Sequence, residues 1–421
     1  MSWDKFYFLL FGKDFKLLMF IFLVNLLILL ILFRKNINNL FDPLNIMILN
    51  LSSCFTIFIY LFLKNLIIDK YLYQLVNINF SFLLSFKIIL LSKKKIIFNQ
   101  KINIKFFKIY YLVHTILFFL TVIYFYELVH GKLMTDRADA FNELGLLRNA
   151  YNFLFPGQLI LIFIKREIYS SKNKMDYLFC FLIFILFFFS GGKTATITYF
   201  LYIFSVFYFL NIIQKNFLYK KMKKYSFIIF FFSFIGIIVL FGIINKDSNL
   251  EIILKKLLHR IFSSGDTYYM FYVNDNIKKI EGISLFNYYI LPIIKPILKR
   301  IMDLKEYTYP GLQIIEIIYK IKTNSFGPNT RYDLVLQMNL GYFGIIGGVV
   351  SGILMGIIRK IKTKNFIFLE MIVILFVNFE MIIIDFGIFG GYLFSCVFML
   401  TVLILLSYSI YKLIRIGENR K

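Results

Sequence analysis

Apolar runs close to the roughly twenty residues that a helix needs to cross the hydrocarbon layer recur at 15–33, 44–63, 75–91, 109–128, 149–164, 176–192, 194–213, 226–244, 334–357, 366–384 and 392–411. Lys87 interrupts the third run, and Pro156 with Gln158 weakens the fifth. The only long polar interruption is 245–333. The pattern predicts an all-α polytopic membrane protein of about eleven transmembrane helices, within a range of ten to twelve. Residues 1–244 form an N-terminal bundle of about eight spans with a small external loop at 129–148. Residues 245–333 form one large external loop containing short helices. Residues 334–421 add about three spans and a basic tail.

Orientation follows from the short loops, because Lys and Arg accumulate on the cytoplasmic side. Every second loop is basic: Lys93, Lys94, Lys95, Lys101, Lys105 and Lys108; then Lys165, Arg166, Lys172 and Lys174; then Lys215 to Lys224; then Arg359 to Lys364; and finally Lys412 to Lys421. This puts the C-terminus in the cytoplasm and 129–148 and 245–333 outside. With eleven spans the N-terminus is outside as well, and a twelfth element within 5–13 would return it to the cytoplasm. Cations left on the outer side oppose the insertion bias, which singles out Arg137, Arg148, Lys193, Arg260, Arg300 and Arg331 as functional candidates.

Composition agrees with the class. With 60% hydrophobic residues, 54 Phe and 29 Tyr in 421 positions, a soluble core could not hide the apolar surface. The net charge of +25 does not indicate a nucleic-acid partner, since the cations lie in short clusters between apolar runs rather than on one folded face. Cys54, Cys180 and Cys396 sit inside hydrophobic runs without CxxC spacing and with only three His in the chain, so neither a metal site nor a disulfide scaffold is expected. No small-residue cleavage site follows the first run, which reads as an uncleaved span. No dinucleotide fingerprint, Walker loop, HExxH or GxSxG in suitable context is present, and no cofactor is expected.

Within the outer segment, residues 249–262 place Ile252, Ile253, Leu257, Leu258 and Ile261 on one side of a short helix suited to the bilayer surface. Ser263, Ser264 and Gly265 terminate it. Asp266 either caps the next helix or joins His259 and Arg260 in supplying a carboxylate and cations to one ligand. Tyr268, Tyr269, Tyr272, Tyr288, Tyr289, Tyr307 and Tyr309 offer either a platform for sugar rings or an interfacial aromatic belt. The segment closes on Gly327-Pro328-Asn329-Thr330-Arg331. Beyond it, Gly344, Gly348, Gly352 and Gly356 share one helical face, which lets a neighbouring backbone approach and holds Arg331 in place. Lys193 in the Ser190-Gly191-Gly192-Lys193 hairpin either snorkels or points into a polar cavity. Glu370, Glu380 and Asp385 are carboxylates suited to a proton relay, with Glu370 close enough to the cytoplasmic end to be solvated. Lys87 and His114 read as hydrogen-bonding residues inside the bundle.

The layout resembles the O-antigen polymerase, or oligosaccharide repeat-unit polymerase (Wzy-type), family. The resemblance lies in Phe326-Gly327-Pro328-Asn329 leading through Asn339-Leu340-Gly341-Tyr342-Phe343-Gly344 to Gly348 and Gly352, in Arg260 to Tyr269, and in the Ser190–Lys193 hairpin. At Gly192 and Lys193 the family commonly shows Ser and Arg. The resemblance implies an inverting glycosyl transfer on the outer face of the bacterial inner membrane, from a glycan on undecaprenyl pyrophosphate to a lipid-linked repeat unit. A chain-length regulator protein joins membrane lipid among the implied partners. Asp266, and after it His259, becomes the expected base. Arg260 and Arg331 become expected pyrophosphate ligands, with Arg137, Arg148, Lys193, Arg300, Tyr268 and Asn329 around them. Alternatives are a ligase sharing the donor and a lipid-linked oligosaccharide flippase or proton-coupled transporter.

Overall fold

A computed structural model describes residues 11–98, 103–129, 147–168, 173–189, 195–210, 217–245, 249–298, 310–320 and 328–419. The described residues are about 85% helical. The first half carries helices α1 (Phe15–Phe33), α2 (Pro43–Leu63), α3 (Asp69–Leu91), α4 (Ile104–Val129), α5 (Leu147–Ile168), α6 (Lys174–Phe189), α7 (Ala195–Phe209) and α8 (Phe217–Asn245). The 245–333 segment contributes α9 (Leu250–Phe262), α10 (Asp266–Tyr272), α11 (Leu291–Leu298) and α12 (Pro310–Tyr319). The C-terminal part holds α13 (Tyr332–Leu340), α14 (Gly344–Lys360), α15 (Phe366–Val377), α16 (Met381–Ile384) and α17 (Phe386–Asn419).

Among the described residues, six helical stretches are long and apolar enough to cross a membrane: Phe15–Phe33, Pro43–Leu63, Asp69–Leu91, Ile104–Tyr124, Tyr332–Lys360 and Phe386–Ile416. All six overlap expected spans. Phe20, Leu23, Leu27 and Ile31 on α1, with Phe227, Phe231 and Phe232 on α8, are exposed. Large apolar side chains turned outward along whole helices fit a bundle whose sides lie in lipid. The run 366–384 is not one continuous helix. Its first part, α15, has 12 residues and reaches only ~18 Å; the chain then turns at Asn378, forms the four-residue α16 and breaks again at Asp385.

The start of α2 is fixed by Asp42, whose carboxylate accepts from the Leu44 N–H, and by Pro43, whose missing donor costs nothing at this position. The same carboxylate holds the buried Arg359 at 2.6 Å, which ties the end of α14 to the start of α2. At this end Ile96–Phe98 (β1) also pairs in parallel with Ile361–Thr363 (β2). Lys362 reaches the Tyr208 carbonyl at the end of α7. The basic loops near 34–43, 93–98 and 359–364 therefore share one end of the bundle. Lys64 and Asp14 meet at 3.0 Å at the other end.

The glycine ridge of α14 packs against α3. A Cβ at Gly352 would sit 2.5 Å from the Phe82 carbonyl oxygen, and Cβ atoms at Gly348 and Gly356 would collide with Ile78 and Ile89. Gly341 (φ +56°, ψ −119°) separates α13 from α14 in a backbone region essentially open to glycine alone.

Glu370 is not solvated near the end of its helix; it is fully buried. Its carboxylate accepts from Tyr110 Oη at 2.8 Å and lies 3.0 Å from His114 Nε2. His114 Nδ1 meets Gln158 Oε1 at 2.7 Å, and Gln158 Nε2 donates to Thr115. Because the Gln158 oxygen can only accept, Nδ1 is the donor in that contact. α5 continues through Pro156, and a Cβ at Gly157 would collide with Glu370 Oε1. This network joins α4, α5 and α15 inside the bundle. Lys87 likewise bonds within it, to Asn36 Oδ1 and the Leu32 carbonyl.

Candidate functional site

The segment after α8 does not simply lie over the membrane surface. α9, N-capped by Asn249, packs on α2 and α8, and α10 packs on α2. Gly265 makes the entry possible, since a Cβ there would lie 2.7 Å from Ile57 and 3.1 Å from the Ser53 carbonyl. The Ser264 carbonyl accepts from Cys54 Sγ at 3.0 Å. Cys54 is about half-way along α2, ~16 Å from its start and ~14 Å from its end at 1.5 Å per residue. The turn between α9 and α10 thus reaches the middle of a spanning helix.

Arg331 meets this turn from the opposite direction. It N-caps α13 and is fully buried. Its Nε donates to Tyr268 Oη at 2.8 Å and lies 3.4 Å from Asp333 Oδ1; Nη1 approaches Cys54 Sγ at 2.7 Å. Asp333 is held in turn: its Oδ2 accepts from Tyr268 Oη and, at 2.7 Å, from Asn79 Nδ2, while Oδ1 accepts from the Leu334 N–H. Tyr332 Oη donates to Asn79 Oδ1 and completes the clamp. Every part of the guanidinium is engaged except Nη2, which is buried without a partner. A buried donor left unpaired costs about 1–3 kcal/mol, so a clamped guanidinium with one free edge points to an anion that completes it.

Asp266 is the second member of the site. It is the first residue of α10, not its N-cap, which is Gly265. The carboxylate is 1% exposed, and burial pushes its pKa up to about 7, against the opposing pull of Thr267 donors and of the Arg260 and Arg331 charges. His259, half-buried on α9, is pushed down to about 4 by burial and then by neighbouring Arg260. Between the two, Asp266 has the proton affinity suited to a base near neutral pH.

The segment carrying Arg331 is stitched down on several sides. The Asn329 carbonyl accepts from Thr267 Oγ1 at 2.7 Å, the Thr330 carbonyl from Tyr288 Oη at 2.6 Å, and Thr330 Oγ1 from the Gly311 N–H. Tyr288 Oη also accepts from the Phe386 N–H, which links this segment to the start of α17. Nearby, Asn50 on α2 donates to Glu380 and accepts from Ser264 Oγ.

Asp266, Tyr268, Asn329 and Arg331 are therefore brought together, with the exposed Arg260 close enough to act on Asp266 electrostatically. Arg148 is exposed on the first turn of α5, and among the described residues no hydrogen bond or ion pair joins it to Arg331. Arg137, Lys193, Arg300, Tyr307 and Tyr309 lie outside the described residues. Tyr268, Tyr272 and Tyr288 are buried and hydrogen-bonded rather than forming a platform. Asp333, Asn79, Asn50 and Cys54 are site residues that the sequence reading did not single out. The available signal was Arg331-x-Asp333 at the mouth of a span and a pair of Asn in each of two neighbouring spans, Asn45 with Asn50 and Asn77 with Asn79. No family model, curated protein or solved structure matches the chain.

Proposed function

We propose that the protein is a polysaccharide repeat-unit polymerase that transfers a nascent glycan from undecaprenyl pyrophosphate to the non-reducing end of a lipid-linked repeat unit. The observation that carries this reading is the clamped, buried Arg331 with its free Nη2 edge, in electrostatic reach of the near-neutral carboxyl of Asp266. In the reaction, an acceptor sugar hydroxyl attacks the donor's anomeric carbon and gives its proton to Asp266. The bond from that carbon to the pyrophosphate oxygen breaks, and its electron pair leaves with the pyrophosphate. Negative charge grows on the leaving group, and a preorganised guanidinium is worth most where charge develops. A single displacement inverts the anomeric centre.

The reading places the basic end of the bundle in the cytoplasm, with about eleven spans in a bacterial inner membrane and the Arg331 site opening to the exterior. In cells, Arg331→Ala and Asp266→Asn are each expected to leave glycan one repeat long on its carrier, with the polymer ladder lost. Full-length glycan stranded on the carrier would indicate a ligase. An unchanged ladder would remove the residue from the site.

A further inference from the structure

A second polar feature lies at the other, basic end of the molecule and is independent of Arg331. A groove of about 540 Å³ opens between the first turns of α4 and the last turns of α17. Lys105 and Lys108 line it from α4, and Arg415 lines it from α17 one turn after Tyr411. Glu418 is the one carboxylate in the lining, and it pairs with Lys105 at 3.2 Å. Among the described residues no carboxylate pairs with Lys108 or Arg415. Tyr411 Oη accepts from Asn103 and keeps its own proton for a further acceptor.

The groove has apolar walls as well, from Ile109 and Ile414. Its height along the bundle is set by the helices that form it: the apolar run within α4 starts at Ile109 and that within α17 ends at Tyr411. Both ends mark the level where hydrocarbon gives way to headgroups. Cations at that level, beside an apolar wall, match a phosphate that carries acyl chains. A soluble anion would gain nothing from Ile109 and Ile414, and an acidic protein would not reach below the interface.

We propose that this groove binds an anionic phospholipid, with its phosphate between Lys108 and Arg415, Tyr411 donating to it, and the upper acyl chain along Ile109 and Ile414. The test uses the full-length protein in nanodiscs of dioleoylphosphatidylglycerol and dioleoylphosphatidylcholine in equal parts. The lipid retained after transfer to detergent is counted by native mass spectrometry. A cation held against an anionic surface contributes about fivefold, so Lys108→Ala with Arg415→Ala should lower phosphatidylglycerol retention by about twenty-five-fold. Arg415→Lys should keep most of it, and Lys93→Ala with Lys94→Ala, at the same end but outside the groove, should leave it unchanged.

Equal losses from the two double variants would show only diffuse attraction and overturn the site. So would equal retention of the two lipids by the unmodified protein. Inorganic phosphate displacing the lipid as well as added phosphatidylglycerol does would overturn the lipid as ligand. Should the double variant fail to assemble, Lys108→Gln and Arg415→Gln read singly must each lower retention about fivefold, or the proposal falls.

Discussion

Arg331 owes its position to residues that contribute no obvious chemistry of their own. Asp333, Tyr268 and Asn79 fix the guanidinium plane, so a lysine at 331 would keep the charge but lose the planar fork. Arg331→Lys is expected to retain carrier-linked substrate while losing roughly 10²–10³ in transfer rate, the range for removing one preorganised donor; single-turnover kinetics checks this. Asp266 gives a pH signature. As a base it must be ionised, so kcat/KM should rise as pH increases through about 7, and Asp266→Asn should remove that limb. Stability runs the other way. The folded pKa is raised above the ordinary 3.8, so native protein holds the proton more tightly, and the stability this represents is complete below about pH 4 and lost as pH climbs through about 7. Asp266→Asn should therefore melt increasingly above the unmodified protein between pH 5 and pH 8, a trend that thermal unfolding in detergent reads directly.

At the scale of elements, the glycine ridge and the turn before α10 hold the site. Gly352→Leu would drive a side chain into the Phe82–Phe86 backbone of α3, and overpacking of this kind costs about 1–3 kcal/mol. Gly265→Val would push the α9–α10 turn away from α2; transfer should fall further than thermal stability, because the turn carries Asp266. The four-residue spacing of Gly344, Gly348, Gly352 and Gly356 was legible because close helix packing needs a repeated small residue on one face. The break in 366–384 was hidden: Asn378-Phe379-Glu380 interrupts an apolar run too briefly to register as a loop, and the turn depends on tertiary partners such as Asn50 for Glu380. The clamp was hidden for a similar reason. Asn79 and Asp333 are 254 positions apart, and nothing in the sequence sets Asn79 apart from Asn77 two positions before it. Arg331 stood out because its charge opposed the insertion bias, and its neighbours had no such mark.

At the scale of the whole molecule, the pairing of β1 with β2 and of Arg359 with Asp42 gathers basic loops at one end, as alternating short loops require. Cysteines introduced at Asn65 and Glu281 should react with a membrane-impermeant maleimide in intact cells, whereas those at Lys94 and Lys364 should react only after permeabilisation; the reverse pattern would put the Arg331 site in the wrong compartment. The central claim concerns what Arg331 and Asp266 do together. Purified protein in nanodiscs, supplied with one lipid-pyrophosphate-linked repeat unit as both donor and acceptor, is expected to release polyprenyl pyrophosphate as each longer glycan appears, with both products lost in Arg331→Ala. Chain growth at an undiminished rate in that variant would contradict the account.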